Sequence, residues 1–188
     1  MAHRYIQKSV WPAFQTADRT YTFDHLDELS LEVVDSGAVS RRLVVTFSDH
    51  VFTRDAEPSD TSTGIFPGCS RNPGYFCPAR YEASLALREL INSFPNQITW
   101  MLSGNDRYAQ LPLHTDTGQV RLYAIIFTLD RVTGIPFDLH MKIRSAYFCH
   151  TKAPDTFGSV KFKHLVRLRC ENRHPKKIAD RNRPRPRI

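Results

Sequence analysis

Residues 137–150, "FDLHMKIRSAYFCH", alternate polar and apolar side chains in the manner of a β-strand. On strict alternation, one face carries Phe137, Leu139, Met141, Ile143, Ser145, Tyr147 and Cys149. The other face carries Asp138, His140, Lys142, Arg144, Ala146, Phe148 and His150. Two imidazoles and two cations therefore share one side of the predicted strand, which is either a solvated sheet surface or a functional site.

These residue types match the needs of RNA cleavage without a metal ion. That reaction requires one group to deprotonate the 2′-hydroxyl, one to protonate the leaving 5′-oxygen, and cations to stabilise charge on the phosphorane. Histidine titrates near neutral pH, and arginine binds phosphate in a bidentate manner. The candidates are His140 or His50 for proton transfer, Arg144 and Lys142 for phosphate, and Tyr147 or Tyr123 for stacking or proton transfer. The alternative is an ordinary polar face whose histidines hydrogen-bond locally.

A helix followed by antiparallel strands, the penultimate one ending in "IRSAYFCH", resembles the small ribonuclease toxins of the RelE, barnase and EndoU-like superfamily over about residues 80–170. In those proteins a late strand often carries a basic residue, then a small hydroxyl residue and an aromatic, as "RSAY" does. The resemblance implies a metal-independent ribonuclease restrained by a cognate inhibitor, with Arg144, Ser145 and Tyr147 in its site. Because strict alternation turns Ser145 and Tyr147 away from Arg144, that site requires a β-bulge.

The positive charge of the chain is concentrated at its C-terminus. Residues 161–188 hold 11 Lys/Arg against two acidic residues, a net of +9, whereas residues 1–160 hold 15 basic and 17 acidic residues, a net of −2. A concentrated positive segment attracts polyanions, so nucleic acid, with RNA favoured, is the first partner to test and an acidic inhibitor or partner protein the second. A disordered, solubilising tail is the alternative. The predicted nucleic-acid-binding residues are Lys142, Lys161, Lys163, Arg167, Arg169, Arg173, Lys176 and Lys177.

Cofactor and metal motifs are weak or missing in the sequence. The glycines are scattered, and neither the Walker nor the dinucleotide-binding pattern occurs, so no cofactor is predicted. Cys69, Cys77, Cys149 and His150 are four conceivable zinc ligands, but their spacing is poor for a compact site, and no metal is predicted. Four cysteines in a chain of this length, without a secretion signal, favour reduced thiols.

Periodicity predicts the elements that would position these side chains. The clearest helix covers "ARYEASLALRELINSF". Arg80 and Arg88 lie on its polar face and receive no role beyond solubility, except that Arg80, close to "GYFCP", is an outside candidate for contacting phosphate. A second, short helix is predicted within "FDHLDELSLEVVDSG", although the alternation of "LSLEVV" is also typical of a strand. Strands are predicted in "RRLVVTFSDHVFTR", "QITWMLS", "QVRLYAIIFTLD", "FDLHMKIRSAYFC" and "GSVKFKHLVRLRC", with "RYAQLPLHT" more weakly extended. Gly134 and Pro136 supply a turn that joins two of these strands in a hairpin.

Together these elements predict an α+β fold, with a twisted antiparallel sheet packed against one or two helices and a long loop over residues 55–78. Residues 1–171 would form one globular domain, followed by a flexible basic tail over 172–188. No apolar run is long enough to span a membrane, so a cytoplasmic protein is expected. The leading hypothesis is a metal-independent endoribonuclease of toxin or defence type. The alternatives are a module that binds nucleic acid or a partner without catalysis, and a structural subunit of a larger assembly.

Overall fold

The structure is a computed structural model, and it describes residues 3–4, 11–69, 74–102, 106–114, 118–149 and 156–175. The strands are β1 (His3–Arg4), β2 (Phe14–Gln15), β3 (Thr20–Tyr21), β4 (Leu29–Val34), β5 (Ser40–Phe47), β6 (Thr53–Arg54), β7 (Tyr75–Phe76), β8 (Ile98–Met101), β9 (Arg107–His114), β10 (Val120–Thr133), β11 (Leu139–Phe148) and β12 (Ser159–Lys161). The α-helices are α1 (Pro78–Ser84), α2 (Leu87–Asn92) and α3 (Phe162–Cys170). Short 3-10 turns cover Asp24–Leu26, Asp49–Val51, Ser62–Gly64 and Phe94–Asn96. The predicted α+β class is confirmed.

One mixed sheet organises these elements. Its strands follow the order β12-β8-β9-β10-β11-β5-β4, with β1 added alongside the end of β10. Most neighbours are antiparallel, and β10 and β11 form the predicted hairpin. The predicted antiparallel sheet also contains two parallel pairs, since β5 runs parallel to β11 and β1 runs parallel to β10.

One face of the sheet packs on the main hydrophobic core, and we call it the inner face. Its fully buried side chains include Leu43, Val45, Ile125, Phe127, Leu139 and Met141. Helices α1 to α3 cover this face through Tyr81, Leu87, Ile91, Phe162 and Val166. The opposite, outer face carries polar residues and also a smaller apolar cluster, in which the partly buried Trp100, Ile126, Tyr147 and Cys149 pack against the buried Leu102 and Ala124.

The long loop predicted over residues 55–78 packs closely on the rest of the protein. Phe66 is buried and contacts Phe23 and Phe52 edge-on. Arg54, just before the loop, donates to the Asp60 carboxylate at 2.6 Å. An aromatic cluster and an ion pair therefore hold the described part of this loop in place.

Two predicted elements are wrong. The segment "LSLEVV", assigned to a short helix, forms strand β4 after the Asp24–Leu26 turn, because its alternate residues Leu31 and Val33 are buried. The segment "GSVKFKHLVRLRC", assigned to a strand, forms the three-residue strand β12 and then helix α3. Its buried residues Phe162, Leu165 and Val166 follow the helical i, i+3, i+4 spacing. The predicted helix after residue 78 is present but divided into α1 and α2.

Among the described residues, no helix combines the length and the apolar character needed to cross a membrane.

Candidate functional site

Strand β11 contains a β-bulge at Arg144. Phe127 on β10 pairs with Ile143, and the next residue back along β10, Ile126, pairs with Ser145, so Arg144 is the extra residue. The bulge reverses the alternation, and Ser145 and Tyr147 join the outer face. Ala146 turns inward and is fully buried.

This bulge corrects the prediction from strict alternation, which grouped Ala146 and Phe148 with His140. The bulge that the "RSAY" resemblance required is therefore present, and it puts Ser145 and Tyr147 on the same side as Lys142, while the resemblance itself stays a prediction. The outer face of β11 thus carries an imidazole, a lysine, an arginine, a hydroxyl and a phenol in succession.

His140 lies at the β5 side of this face and makes a defined contact there. Its Nε2 is 2.7 Å from the Thr46 hydroxyl, and across the hairpin it pairs with Asp130 on β10. The side chain is half-buried. The structure therefore places His140 in a local hydrogen-bonding role on the sheet.

Arg144 lies farther along β11, where it forms an ion pair. Its Nη1 is 3.1 Å from Oδ1 of Asp106, in an ion pair that is largely exposed to solvent. His140 and Arg144 are four residues apart, which corresponds to about 13 Å at the rise of an extended strand. Acid–base groups and phosphate ligands must surround a single phosphate, so this separation does not favour a shared centre, and a joint catalytic role of His140 and Arg144 stays a prediction. Lys142, between them, is exposed.

The segment after the bulge forms its own cluster with the turn at residues 49–51 and helix α1. Strand β5 leaves the sheet after Phe47, and Ser48 then donates its hydroxyl to the Arg144 carbonyl at 2.6 Å. From α1, Arg80 donates through Nη1 to the carbonyls of His50, at 3.1 Å, and Thr53, at 2.6 Å.

The same Arg80 guanidinium lies over the Tyr147 ring, with Cζ 5.8 Å from the ring centroid. Burial raises the pKa of Tyr147, and the neighbouring Arg80 charge opposes that rise. The structure thus brings the Arg80 guanidinium against the Tyr147 ring and against the main chain of His50, beside the bulge. We define these three residues, together with Arg144 and Ser145, as the bulge cluster.

Sequence reasoning proposed four members of the bulge cluster and retained Arg80 only as an outside candidate. Periodicity placed Arg80 on the polar face of a helix, where most arginines only face water. The sequence signal for Arg80 is its position directly after the long loop. That loop returns the chain to its own start, so the beginning of α1 contacts residues 50–53.

Tyr123 does not belong to the outer face, so its prediction as a stacking residue is wrong. It alternates with Ile125 and Phe127 on the inner face and is fully buried, with no hydrogen-bond partner for its hydroxyl. Burial raises the pKa of Tyr123. It packs against the Phe148 ring at 5.3 Å and has no access to a ligand on the outer face.

The predicted nucleic-acid ligands Lys161, Lys163, Arg167 and Arg169 do not lie along one strand as expected. Because the segment is helical, its charges do not share a strand face, and strand β12 lies four strands from β11, about 19 Å away. Arg167 and Arg173 both pair with Glu171, at 2.8 and 3.1 Å. Arg169 is buried and pairs with Asp130 at 2.7 Å.

The remaining predicted ligands of nucleic acid are the lysines Lys161, Lys163, Lys176 and Lys177. Lys161 ends strand β12 and is exposed, and Lys163 lies in the first turn of α3. Lys176 and Lys177 lie outside the described residues, as does His150.

The four cysteines, which all lie among the described residues, form no disulfide bond. Within the described ranges, no group of three or more histidine, cysteine or acidic side chains lies close enough together to hold a metal ion. The zinc set that was considered from sequence includes His150, so it lies partly outside these ranges.

Comparison with known protein families gives a match over residues 13–170 to the model of the YjaZ family. The chain belongs to the YjaZ family. The family match begins just before β2 and ends at the last residue of α3, so the YjaZ region contains the whole bulge cluster and leaves out the basic tail. Searches of curated proteins and of solved structures found no match to the chain.

Proposed function

We propose that the chain binds single-stranded RNA on the outer face of its sheet. The supporting observation is the bulge at Arg144, which puts the Tyr147 ring on the same face as Lys142 and next to the Arg80 guanidinium. Cations that follow a backbone and an aromatic ring on which a base stacks are the two components of sequence-tolerant single-strand binding.

In this proposal Lys142, Arg144 and Arg80 contact phosphates, and Tyr147 stacks on a base. Lys142 is exposed, and the Arg144 side chain is 55% exposed despite its ion pair, so both are accessible to a ligand. Release of Arg144 from Asp106 has a low cost, because exposed ion pairs contribute about 0–1 kcal/mol.

The first test measures binding of a fluorescent single-stranded RNA by anisotropy at several salt concentrations. Lys142→Glu should weaken binding by at least about tenfold and reduce the salt dependence, because a phosphate contact is lost. Lys161→Glu is the matched control, since it makes the same charge change at the far edge of the sheet, beyond the ~8 Å screening length. Equal weakening by both variants, or by neither, contradicts the proposed face.

A second pair of variants isolates stacking. Tyr147→Phe should retain binding, whereas Tyr147→Leu should lose about 5- to 150-fold, the range expected for one stacked base. Removal of residues 176–188 tests the basic tail. If that truncation abolishes binding while Lys142→Glu and Tyr147→Leu have no effect, the tail carries the interaction and the outer-face proposal is wrong.

A metal-independent endoribonuclease is the second candidate, and the grouping of His50, Arg80 and Tyr147 favours it. A histidine for proton transfer next to a guanidinium for the phosphorane charge is the combination that cleavage through a 2′-hydroxyl requires. His50 is exposed, and its carbonyl is bound by Arg80. In this candidate His50 replaces His140 as the group that transfers the proton, and an acidic inhibitor protein would compete with RNA for the same cations.

Incubation of the protein with RNA in excess chelator, followed by mapping of the product ends, decides between the two candidates. A ribonuclease should cleave in chelator, His50→Ala should abolish cleavage, and His140→Ala should leave the rate within about threefold. Binding without any cleavage by the wild-type protein removes the ribonuclease candidate and retains the binding function.

A further inference from the structure

A cleft of ≈ 540 Å³ lies between strand β12 and helix α3, at the opposite end of the sheet from the bulge cluster. Strand β12 contributes Ser159 and Val160 to its lining, and α3 contributes His164 and Leu168, which are four residues apart and share one helix face. Residues 173–175, which follow α3, complete the lining. The volume lies within the range of ligand sites, so the cleft has room for an occupant.

Strand β12 has an open edge at this cleft, because within the described residues it pairs only with β8. The Met101 N–H donates to the Gly158 carbonyl at 2.9 Å, and the Phe162 N–H donates to the Gln97 carbonyl at 3.0 Å. Alternate residues of an antiparallel strand direct these groups to opposite sides. Ser159 therefore directs its N–H and its carbonyl away from β8, toward the open edge, and it also lines the cleft.

Peptide groups at an open sheet edge pair with an extended segment of another chain. This edge is short, because the chain enters α3 at Phe162, and Ser159 offers one donor and one acceptor. Pairing with a single residue fixes the direction and register of a bound segment but contributes little affinity. The side chains in and around the cleft must contribute the rest.

The segment that forms the cleft is positively charged. Residues 159–175 hold five Lys/Arg and one acidic residue, Glu171, which pairs with two of the arginines. A third arginine, Arg169, pairs with Asp130 at 2.7 Å. Five cations against these two carboxylates leave a net charge of +3, so the cleft region favours an acidic occupant.

The lining favours an acidic peptide over a nucleic acid. The only aromatic rings among the described residues that line the cleft are two imidazoles, whereas single-stranded nucleic acid binds to rings on which its bases stack. Val160, Leu168 and Pro175 are apolar, and the Arg173 side chain is 67% exposed beside them. In an extended peptide with alternating acidic and apolar residues, one row of side chains can contact the guanidinium and the other row the apolar residues.

We propose that the cleft between β12 and α3 binds an extended acidic segment of a partner protein, which pairs with Ser159 at the sheet edge and places a carboxylate against Arg173. The sequence after Pro175 holds six Lys/Arg against Asp180, and these charges attract the same segment over a longer range. This surface is distinct from the outer face and does not depend on the RNA-binding proposal.

The first test measures binding of the fluorescein-labelled peptide Glu-Val-Glu-Val-Glu-Val-Glu to the full-length protein by anisotropy. Binding should be at least about tenfold tighter at ~10 mM than at ~100 mM salt, because the screening length falls from ~30 to ~10 Å. The same peptide with lysine in place of glutamate should not bind. Failure of the wild-type protein to bind the acidic peptide at ~10 mM salt overturns the proposal.

Charge reversal locates the bound peptide. Arg173→Glu should weaken binding at least about tenfold, because an attraction becomes a repulsion, and the exposed position puts folding at little risk. Arg19→Glu is the matched control, since Arg19 is also exposed and also pairs with one glutamate, but it lies in the turn between β2 and β3, outside the cleft lining. Equal weakening by both variants, or by neither, contradicts the assignment to the cleft.

Methylation of the peptide main chain tests the pairing with Ser159. One derivative carries N-methyl groups on its glutamate residues and another on its valine residues, so each loses the donors on one edge of an extended strand without a change in charge. One derivative should bind at least about fivefold more weakly, the effect of one lost hydrogen bond, and the other should bind like the parent peptide. Equal affinities of the two derivatives would show that no strand pairing occurs.

Competition separates an acidic peptide from polyanions in general. Unlabelled single-stranded RNA with the same net charge as the peptide should displace the labelled peptide at least about tenfold less effectively than unlabelled peptide does, because the cleft lining offers no stacking surface other than imidazoles. Equal displacement by the RNA would make the cleft a general polyanion site and would overturn the proposed partner.

Discussion

The guanidinium of Arg80 lies over the ring of Tyr147, with Cζ 5.8 Å from the ring centroid. The two residues belong to helix α1 and to the part of β11 that follows the bulge. Because the same guanidinium binds the carbonyls of His50 and Thr53, it joins three segments that are distant in sequence. It therefore fixes the geometry of the bulge cluster before any ligand is bound.

Replacement of Arg80 by methionine should destabilise the fold. Two carbonyls lose their charged donor, and hydrogen bonds to charged groups contribute about 1.5–3 kcal/mol each when buried. Because Arg80 is only half-buried, we expect a loss of about 1–3 kcal/mol in the free energy of unfolding, measured with urea. Arg144→Met is the control, since its exposed ion pair with Asp106 predicts a loss below about 1 kcal/mol. Equal losses in both variants would show that Arg80 does not join these segments.

The sequence predicted the fold where a single periodicity dominated. The hairpin of β10 and β11 followed from two long alternating segments around Gly134 and Pro136. Residues 159–170 were misassigned because two periods overlap there. The charges at positions 161, 163, 167 and 169 have the two-residue spacing of a strand face. The buried residues Phe162, Leu165 and Val166 have the i, i+3, i+4 spacing of a helix.

The candidate site was harder to predict, because it depends on how strands pair. Residue types identified Lys142, Arg144 and Tyr147, but whether they share a face depends on the extra residue opposite Ile126 and Phe127. A bulge arises from pairing with another strand and leaves no signal within "IRSAY" itself. The approach of Arg80 likewise depends on where β5 leaves the sheet, which is a property of the tertiary structure.

The bulge assignment is tested by placing the same charge on adjacent residues. Ala146→Glu buries a carboxylate in the inner core, and it should cost more than about 3 kcal/mol or prevent folding. Ser145→Glu places the same side chain on the half-exposed outer face and should cost less than about 1 kcal/mol. Circular dichroism with urea measures both. The opposite order of stability would indicate regular alternation without a bulge.

Stability should fall between neutral and mildly acidic pH because of His25. Burial and then the Arg88 charge lower the pKa of His25, and its Nε2 lies 2.7 Å from the Ser84 hydroxyl. Ser84 donates its own proton to the Tyr81 carbonyl, so His25 is the donor of this bond. A lowered pKa means that the unfolded chain binds the proton more readily than the folded protein. The contribution of neutral His25 to the free energy of unfolding is complete above the pKa of the unfolded state, near 6.5. It is lost as the pH falls toward the lowered pKa of His25 in the folded state.

His25→Gln keeps a donor at this position without a titrating group. We expect it to flatten the pH dependence of the free energy of unfolding between pH 7 and pH 5, measured with urea at each pH. Part of the dependence should persist, because the pKa of His174 is lowered as well. His114→Gln, at an exposed histidine, is the control and should retain the wild-type slope. If His25→Gln also retains it, His25 does not cause the loss of stability.

Asp35 should govern a separate loss of stability at lower pH. Burial raises the pKa of this carboxyl, but hydrogen bonds from the Gly37 and Val39 amides and from Arg41 lower it further, so the net shift is downward. A carboxyl with a lowered pKa stabilises the folded protein above its unfolded pKa, near 4, and loses that contribution as pH falls through the folded value. Asp35→Asn keeps an acceptor for the amides but removes the charge that pairs with Arg41. It should be less stable than the wild type by about 1–3 kcal/mol at pH 7, and the difference should shrink between pH 4 and pH 2 as the wild-type carboxyl becomes protonated. A difference that stays constant over this range would mean that the charge of Asp35 contributes nothing to stability.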